Sequence, residues 1–290
     1  MTSLSPDRAP EQVSESPRRK PSMSPMQKVL FFVVAWLICL MPFLFWWNTW
    51  FGRKLTDAQL NDYIHDTKKP RHIQQALVQV GERITHQDAN VKQWYPDLVR
   101  LANDPVDEVR NTDAWVMGQD TTGAGFHDAL LKMLNDPSPM VRGNAALSLV
   151  RFGDVTGRPQ IVALLQPVQI TAPQSGQIID TDRPGTAIHQ NGLIAKLKNS
   201  KGQTYEVRSP IPGRIRSVDG TGATVGVGAE IAVVDPSTDQ AWEALRALYL
   251  IGEPEDLPAV LPYERDLPDI SNDVRRQAVE TERAIRERTK

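Results

Sequence analysis

Residues 29–51 read VLFFVVAWLICLMPFLFWWNTWF, an apolar stretch without a single charge. At about 1.5 Å of rise per residue, a helix over this stretch is roughly 34 Å long, enough to cross the hydrocarbon core of a bilayer with some tilt. Lys28 before it and Arg53 and Lys54 after it bracket the span, Trp46, Trp47 and Trp50 are placed as a belt at one interface, and Pro42 marks a kink. The run is longer than a signal-peptide core and no small-residue cleavage site follows, which predicts an uncleaved anchor. Residues 1–28 carry Ser, Pro, Arg, Lys and Glu with almost no large apolar side chain, a composition that predicts a disordered tail.

Beyond the anchor the apolar positions take a helical period. Two stretches match each other 32 residues apart, Asp104-Pro105-Val106-Asp107-Glu108-Val109-Arg110 and Asp136-Pro137-Ser138-Pro139-Met140-Val141-Arg142. Each follows an amphipathic helix, predicted over 95–103 and 126–135, and each opens another. In that second helix Val109, Ala114 and Met117 correspond to Val141, Ala146 and Leu149, a stripe that faces a neighbouring helix. The Asp-Pro pair supplies the boundary: Asp caps orphan N–H groups, and Pro is tolerated in the first helical turn. A period near 30 with paired helices predicts an array in which each unit buries its apolar face by stacking on the next. These segments resemble HEAT repeats, particularly the short variety of phycobilisome-lyase-like proteins, through Asn144-Ala145-Ala146-Leu147 and Arg151-Phe152-Gly153-Asp154. A weaker copy lies at 72–84, with Ala76, Leu77, Val80 and Gly81. The pattern returns after residue 236, in the helix from Ala241 to Leu248 with Gly252 as its stop, in 256–261 echoing 160–165, and in Asn272-Asp273-Val274-Arg275. The charged run that ends the sequence reads as a solvated cap.

Between the two helical parts, residues 168–236 change to short Val, Ile and Thr runs separated by Gly and Pro, the signature of strands and turns. An internal duplication aligns Pro173-Gln174-Ser175-Gly176-Gln177-Ile178 with Pro210-Ile211-Pro212-Gly213-Arg214-Ile215, an offset of 37. Pro210, Gly213, Ile215, Val218, Gly222, Val225, Gly228 and Ile231 resemble half of a biotinyl/lipoyl domain, the barrel-sandwich hybrid also found in membrane-fusion proteins of HlyD type. The resemblance implies a hairpin lysine as the attachment point for lipoyl or biotin. Lys201 is the nearest candidate, but it stands nine residues before Pro210, one short of the place occupied by Gly202, and it lacks the flanking Met residues of biotin domains. Asn199-Ser200-Lys201-Gly202 is equally a plain turn with an unmodified lysine, and no cofactor is expected.

The expected organisation is therefore an α+β multidomain chain: tail 1–28, single transmembrane helix 29–51, α-α solenoid of HEAT-like repeats over 55–167, small all-β barrel-sandwich hybrid over 168–236, and a further HEAT-like repeat over 237–290. Lys and Arg number 33 against 35 Asp and Glu, so no electrostatic excess exists for a nucleic-acid backbone. The single cysteine, Cys39, lies in the anchor and permits neither an intrachain disulfide nor a zinc cluster. His65, His72, His86, His127 and His189 lack zinc-ligand spacing, no Gly-x-Ser-x-Gly elbow occurs, and the Gly220-Thr221-Gly222 start of a dinucleotide fingerprint fails at its third glycine. With no catalytic constellation, the expectation is a membrane-anchored adaptor that meets the bilayer through 29–51 and one or more protein partners through its repeats. Trp94, Tyr95 and Trp115, read as exposed aromatics, are the candidate contact residues, with ordinary packing between helices as the alternative. The competing readings are a carrier modified at Lys201 and an accessory subunit of an envelope or respiratory membrane complex. Basic residues before the span (Arg18, Arg19, Lys20, Lys28) nearly balance those after it (Arg53, Lys54, Lys68, Lys69, Arg71). The short tail favours a cytoplasmic N-terminus and a periplasmic soluble part at a bacterial inner membrane.

Overall fold

A computed structural model describes residues 25–49, 54–265 and 270–288, the side chains of 44–49 excepted. Residues 1–54 and 55–290 are separate compact units. The expected tail through Ser24, together with Trp50, Phe51 and Arg53 and the side chains of Trp46 and Trp47, lies outside the described residues. In the first unit helix α1 (Pro25–Thr49) begins four residues before the apolar stretch and runs through Pro42. Its segment Pro25–Phe43 has a mean hydropathy of 2.0 and is long and apolar enough to cross a membrane.

The second unit is built from helices that meet in pairs. These are α2 (Asp57–Ile64) with α3 (Pro70–Thr85), α4 (Tyr95–Leu101) with α5 (Asp107–Met117), and α6 (Phe126–Met133) with α7 (Pro139–Arg151). They continue with α8 (Arg158–Ala163) on α9 (Thr238–Ile251) and α10 (Leu257–Val260) on α11 (Asn272–Arg288). The second members pack in series, α3 on α5, α5 on α7, α7 on α9 and α9 on α11. The all-β segment therefore does not separate two arrays. It lies between the two helices of the fourth pair, and α9 packs on α7 as though nothing intervened. The apolar stripe explains the stacking: Leu77, Leu98, Met117, Leu130, Leu149, Ala244 and Leu248 are fully buried in one continuous core, each large side chain stabilising by about 1.5–3 kcal/mol.

Two local expectations are corrected. Asp104 and Asp136 do not cap the helices that follow. Each accepts a hydrogen bond from the backbone N–H two residues on, Val106 at 2.9 Å and Ser138 at 2.8 Å, and Val106 and Ser138 are the N-cap residues. The Asp side chain thus closes an Asx turn, which leaves Pro105 and Pro137 outside the helices and Pro139 in the first turn. The final charged run is likewise not merely solvated. Ile285 is fully buried, and Arg288 donates to the carbonyls of Leu248, Tyr249 and Gly252 at the end of α9, where the last carbonyls of a helix favour a cation.

The segment 168–236 forms two four-stranded antiparallel sheets from β1 (Val168–Thr171), β2 (Gly176–Thr181), β3 (Ala187–Ile188), β4 (Leu193–Lys198), β5 (Thr204–Arg208), β6 (Gly213–Val218), β7 (Thr224–Val225) and β8 (Glu230–Pro236). The orders are β1-β8-β6-β3 and β5-β4-β2-β7. Advancing by 37 residues carries β1, β2, β3 and β4 onto β5, β6, β7 and β8, and it converts one sheet order into the other. The bulge at Ile178/Asp180 recurs at Ile215/Ser217. The core is duplicated too: Ile170, Ile178, Ile188, Ile194, Ala195 and Leu197 are buried, as are Val207, Ile215, Val225, Ile231, Ala232 and Val234. Gly185 and Gly222 hold equivalent left-handed turns, at φ 86° and 96°.

Candidate interaction groove

The exposed face of the second helices carries an open groove of about 670 Å³ bordered by α5, α7, α9 and α11. Trp115 of α5 forms one end. Its ring lies over Gly81 of α3, where an added Cβ would stand 3.0 Å from the Trp115 ring. The floor continues through Leu147 and Val150 of α7 to Tyr249 and Leu250 of α9. Trp115 and Tyr249 are each 43 % exposed and Leu250 is 62 % exposed, which for side chains of this size is a standing apolar surface, not core.

Polar side chains hold the groove's walls together by reaching from one helix to the backbone of the preceding one. Ser148 Oγ donates to Ala114 O at 2.8 Å, Asn144 Nδ2 to Asn111 O at 3.3 Å, and Arg151 Nη1 to Gly118 O at 3.4 Å. Thr281 Oγ1 makes the same bond from α11 to Leu245 O at 2.9 Å. Gly118 is required there, because a Cβ would come within 2.7 Å of Ser148 Cβ. Outside the groove, the turn between β3 and β4 binds the start of α5: Gln190 Nε2 donates to Asp107 Oδ2 at 3.1 Å and Asn191 Nδ2 to Glu108 Oε1 at 2.5 Å. Met140 of α7 also packs on the β core.

The three aromatic candidates separate. Trp94 is 1 % and Tyr95 7 % exposed, so the reading of both as surface residues is corrected. Pro96 and the adjoining charges suggest a surface, but the 3-10 turn Val91–Trp94 turns the indole inward, where the Arg83 guanidinium lies 4.9 Å from its ring centre. Tyr95 packs on Phe126 and donates to Asp120 Oδ2 at 2.5 Å. Burial, and then that bond, push its phenol far above the ordinary range. Trp115 remains on the surface. Lys201 is exposed at the tip of the β4–β5 hairpin, its backbone N–H bound to Asn199 Oδ1 at 3.0 Å, beside Gly202 at φ 81°. Tyr249, Leu250 and Glu280 are not marked out by the sequence, and Arg151 is marked only by the HEAT resemblance, not as a contact residue. The signal was there in part, since Tyr249-Leu250 extends the apolar run of α9 off its buried face.

Histidines pair with carboxylates, His65 with Asp97 at 3.0 Å, His72 with Asp66 at 2.9 Å and His127 with Asp154 at 2.7 Å. Among the described residues no group of three or more His, Cys, Asp or Glu is placed to hold a metal ion. Asp113 in α5 is fully buried, neither carboxylate oxygen has a hydrogen-bond partner, and burial raises its pKa well above the usual range, against the pull of Arg100.

No curated protein matches the chain. A solved structure of a single-chain, multi-domain long-chain acyl-CoA carboxylase is similar over 52 % of this chain and 16 % of that one, at 15 % identity and a TM-score of 0.24. That likeness is too slight to bear on fold or function. The HEAT repeat family model matches residues 128–156, which span α6 from its first turn, all of α7 and the turn that follows.

Proposed function

We propose that the protein is a membrane-anchored adaptor, not an enzyme, which holds a protein partner in the groove across α5, α7, α9 and α11. The observation that carries this is the standing exposure of Trp115, Tyr249 and Leu250 along one groove, since Trp and Tyr are enriched among the residues that dominate binding at protein interfaces. The HEAT match at 128–156 supports the reading, because HEAT arrays are extended protein-binding solenoids. Helix α1 exposes Phe32, Trp36 and Ile38, apolar surface of the kind that lipid covers. In this reading the N-terminus is cytoplasmic and residues 55–290 face the periplasm of a bacterial inner membrane. The duplicated β segment is a barrel-sandwich hybrid that offers a second contact, with Lys201 unmodified.

The test is site-specific photo-crosslinking from position 250 in native membranes, with position 201 as a second probe and reporters fused at each end for topology. One recurrent partner captured from position 250 and lost in Trp115→Ala supports the adaptor, and a partner in constant ratio to the chain identifies it as a subunit of a fixed membrane complex. Capture that ignores Trp115 sinks the groove. An intact mass above that of the sequence, located at Lys201, would replace the adaptor by a carrier.

A further inference from the structure

Among the described residues, two charges in the groove, Arg151 and Glu280, make no ion pair. Arg151 Nη1 donates to Gln119 Oε1 at 2.8 Å and to Gly118 O at 3.4 Å, both neutral acceptors. Glu280 takes part in no ion pair among the described residues. The groove's other charges, Arg246 and Glu243, neutralise each other at 3.4 Å. Arg151 stands on α7 and Glu280 on α11, and α9, which brings the apolar side chains Tyr249 and Leu250 to the same groove, packs on both helices. Packed helices lie about 8–10 Å apart, so α7 and α11, on either side of α9, are carried roughly 16–20 Å apart, the length of about 11–13 residues of α-helix.

We propose that the groove takes an amphipathic helix of the partner protein, laid across α7, α9 and α11 with a carboxylate over Arg151 and, about three turns along, a lysine or arginine over Glu280. The proposal rests on the adaptor reading and adds the chemistry of the occupant. While water reaches the groove, an unpaired guanidinium and an unpaired carboxylate cost little. An apolar segment that covered Tyr249 and Leu250 would remove that water and strand both charges, so a stable occupant must supply the opposite sign at each end. A segment carrying one sign at both positions meets repulsion at one of them. A nucleic acid is excluded on the same ground, since its phosphates would face Glu280.

The test uses the full chain in nanodiscs and labelled synthetic helices that share one apolar stripe and differ at two positions three turns apart: Glu with Lys, Glu with Glu, and Lys with Lys. Fluorescence anisotropy is expected to rank the mixed helix first by about tenfold. With Glu280→Lys the Glu/Glu helix becomes the tightest. Arg151→Gln is the weaker probe, because Arg151 also ties α7 to α5. Equal binding of the three helices, or an unchanged ranking in Glu280→Lys, overturns the proposal. If Trp115→Ala still weakens all three helices equally, the groove survives as a binding site without this charge code. If none binds, this proposal falls, while the adaptor reading still stands or falls on the crosslinking from position 250. A proline-broken isomer of the mixed helix that binds as tightly also overturns it, because the occupant is then extended.

Discussion

Arg110 grips Asp136 with two prongs, Nε to Oδ2 at 2.6 Å and Nη2 to Oδ1 at 2.9 Å, while its Nη1 reaches Asp104 O at 2.7 Å. Asp104 and Asp136 are equivalent positions in successive repeats, so one guanidinium ties the turn of its own repeat to that of the next. The pair is nearly buried, at 11 % and 8 % side-chain exposure. Arg110→Ala strands the Asp136 carboxylate and is expected to cost about 3–5 kcal/mol. Arg110→Lys recovers only part, because an ammonium cannot form the fork. Urea unfolding of the full chain in detergent measures both, and an Arg110→Lys variant as stable as the wild type would count against the fork.

Asp113 has the opposite character. Its counterpart one repeat later is Ala145, and nothing bonds to its buried carboxylate. Asp113→Ala is expected to stabilise by about 1–3 kcal/mol at neutral pH. Because burial raises the folded pKa above the unfolded one, near 3.9, folding holds the proton more tightly than the unfolded chain does. The stability associated with Asp113 is fully present below that unfolded value and is lost as pH rises through the folded pKa. The gap between variant and wild type should therefore widen with pH across that window. Thermal melts over a pH series test it, and a gap that is constant or narrows with rising pH refutes it.

Gly118 and Ser148 mark the closest approach of α5 and α7. Gly118→Ala forces its new methyl group against Ser148 and is expected to cost about 1–3 kcal/mol. Ser148→Gly removes the obstructing side chain, so the double variant should lose less than the sum of the two singles. Additive losses in a double-mutant cycle would show that the two residues do not meet.

The β segment is held to α5 by side chains of one turn. Gln190→Ala with Asn191→Gly removes both bonds but leaves the backbone free to keep its left-handed turn, because Asn191 has φ 61° and its counterpart Gly228 φ 77°. Overall stability should fall by less than about 1 kcal/mol, while amide exchange rises in the β3–β4 turn and the first turn of α5. Unchanged exchange at both places would mean that these bonds do not hold the segment.

Much of this architecture is readable in the chain because it depends on short-range patterns. The apolar stripe of Val109, Ala114 and Met117, repeated at Val141, Ala146 and Leu149, specifies helices and one buried face, and all six side chains are fully buried. The 37-residue echo around Gly176 and Gly213 announces two like halves, and the strands obey it in order, bulge and core. Trp94 escapes such short-range patterns, since an indole beside Lys92, Gln93 and Pro96 looks exposed until the 3-10 turn sets its direction.

By itself, then, the sequence determined which segments are helical or extended, where the long apolar helix lies, and which units repeat, because periodicity and turn chemistry act over a few residues. Only the tertiary structure decided that the β segment splits the fourth helix pair, that Trp115 and not Trp94 reaches the surface, and that Arg151 and Glu280 share a groove with Tyr249. Those relations join residues scores of positions apart. They follow from how ridges on one helix settle into its neighbour, and no local pattern records that.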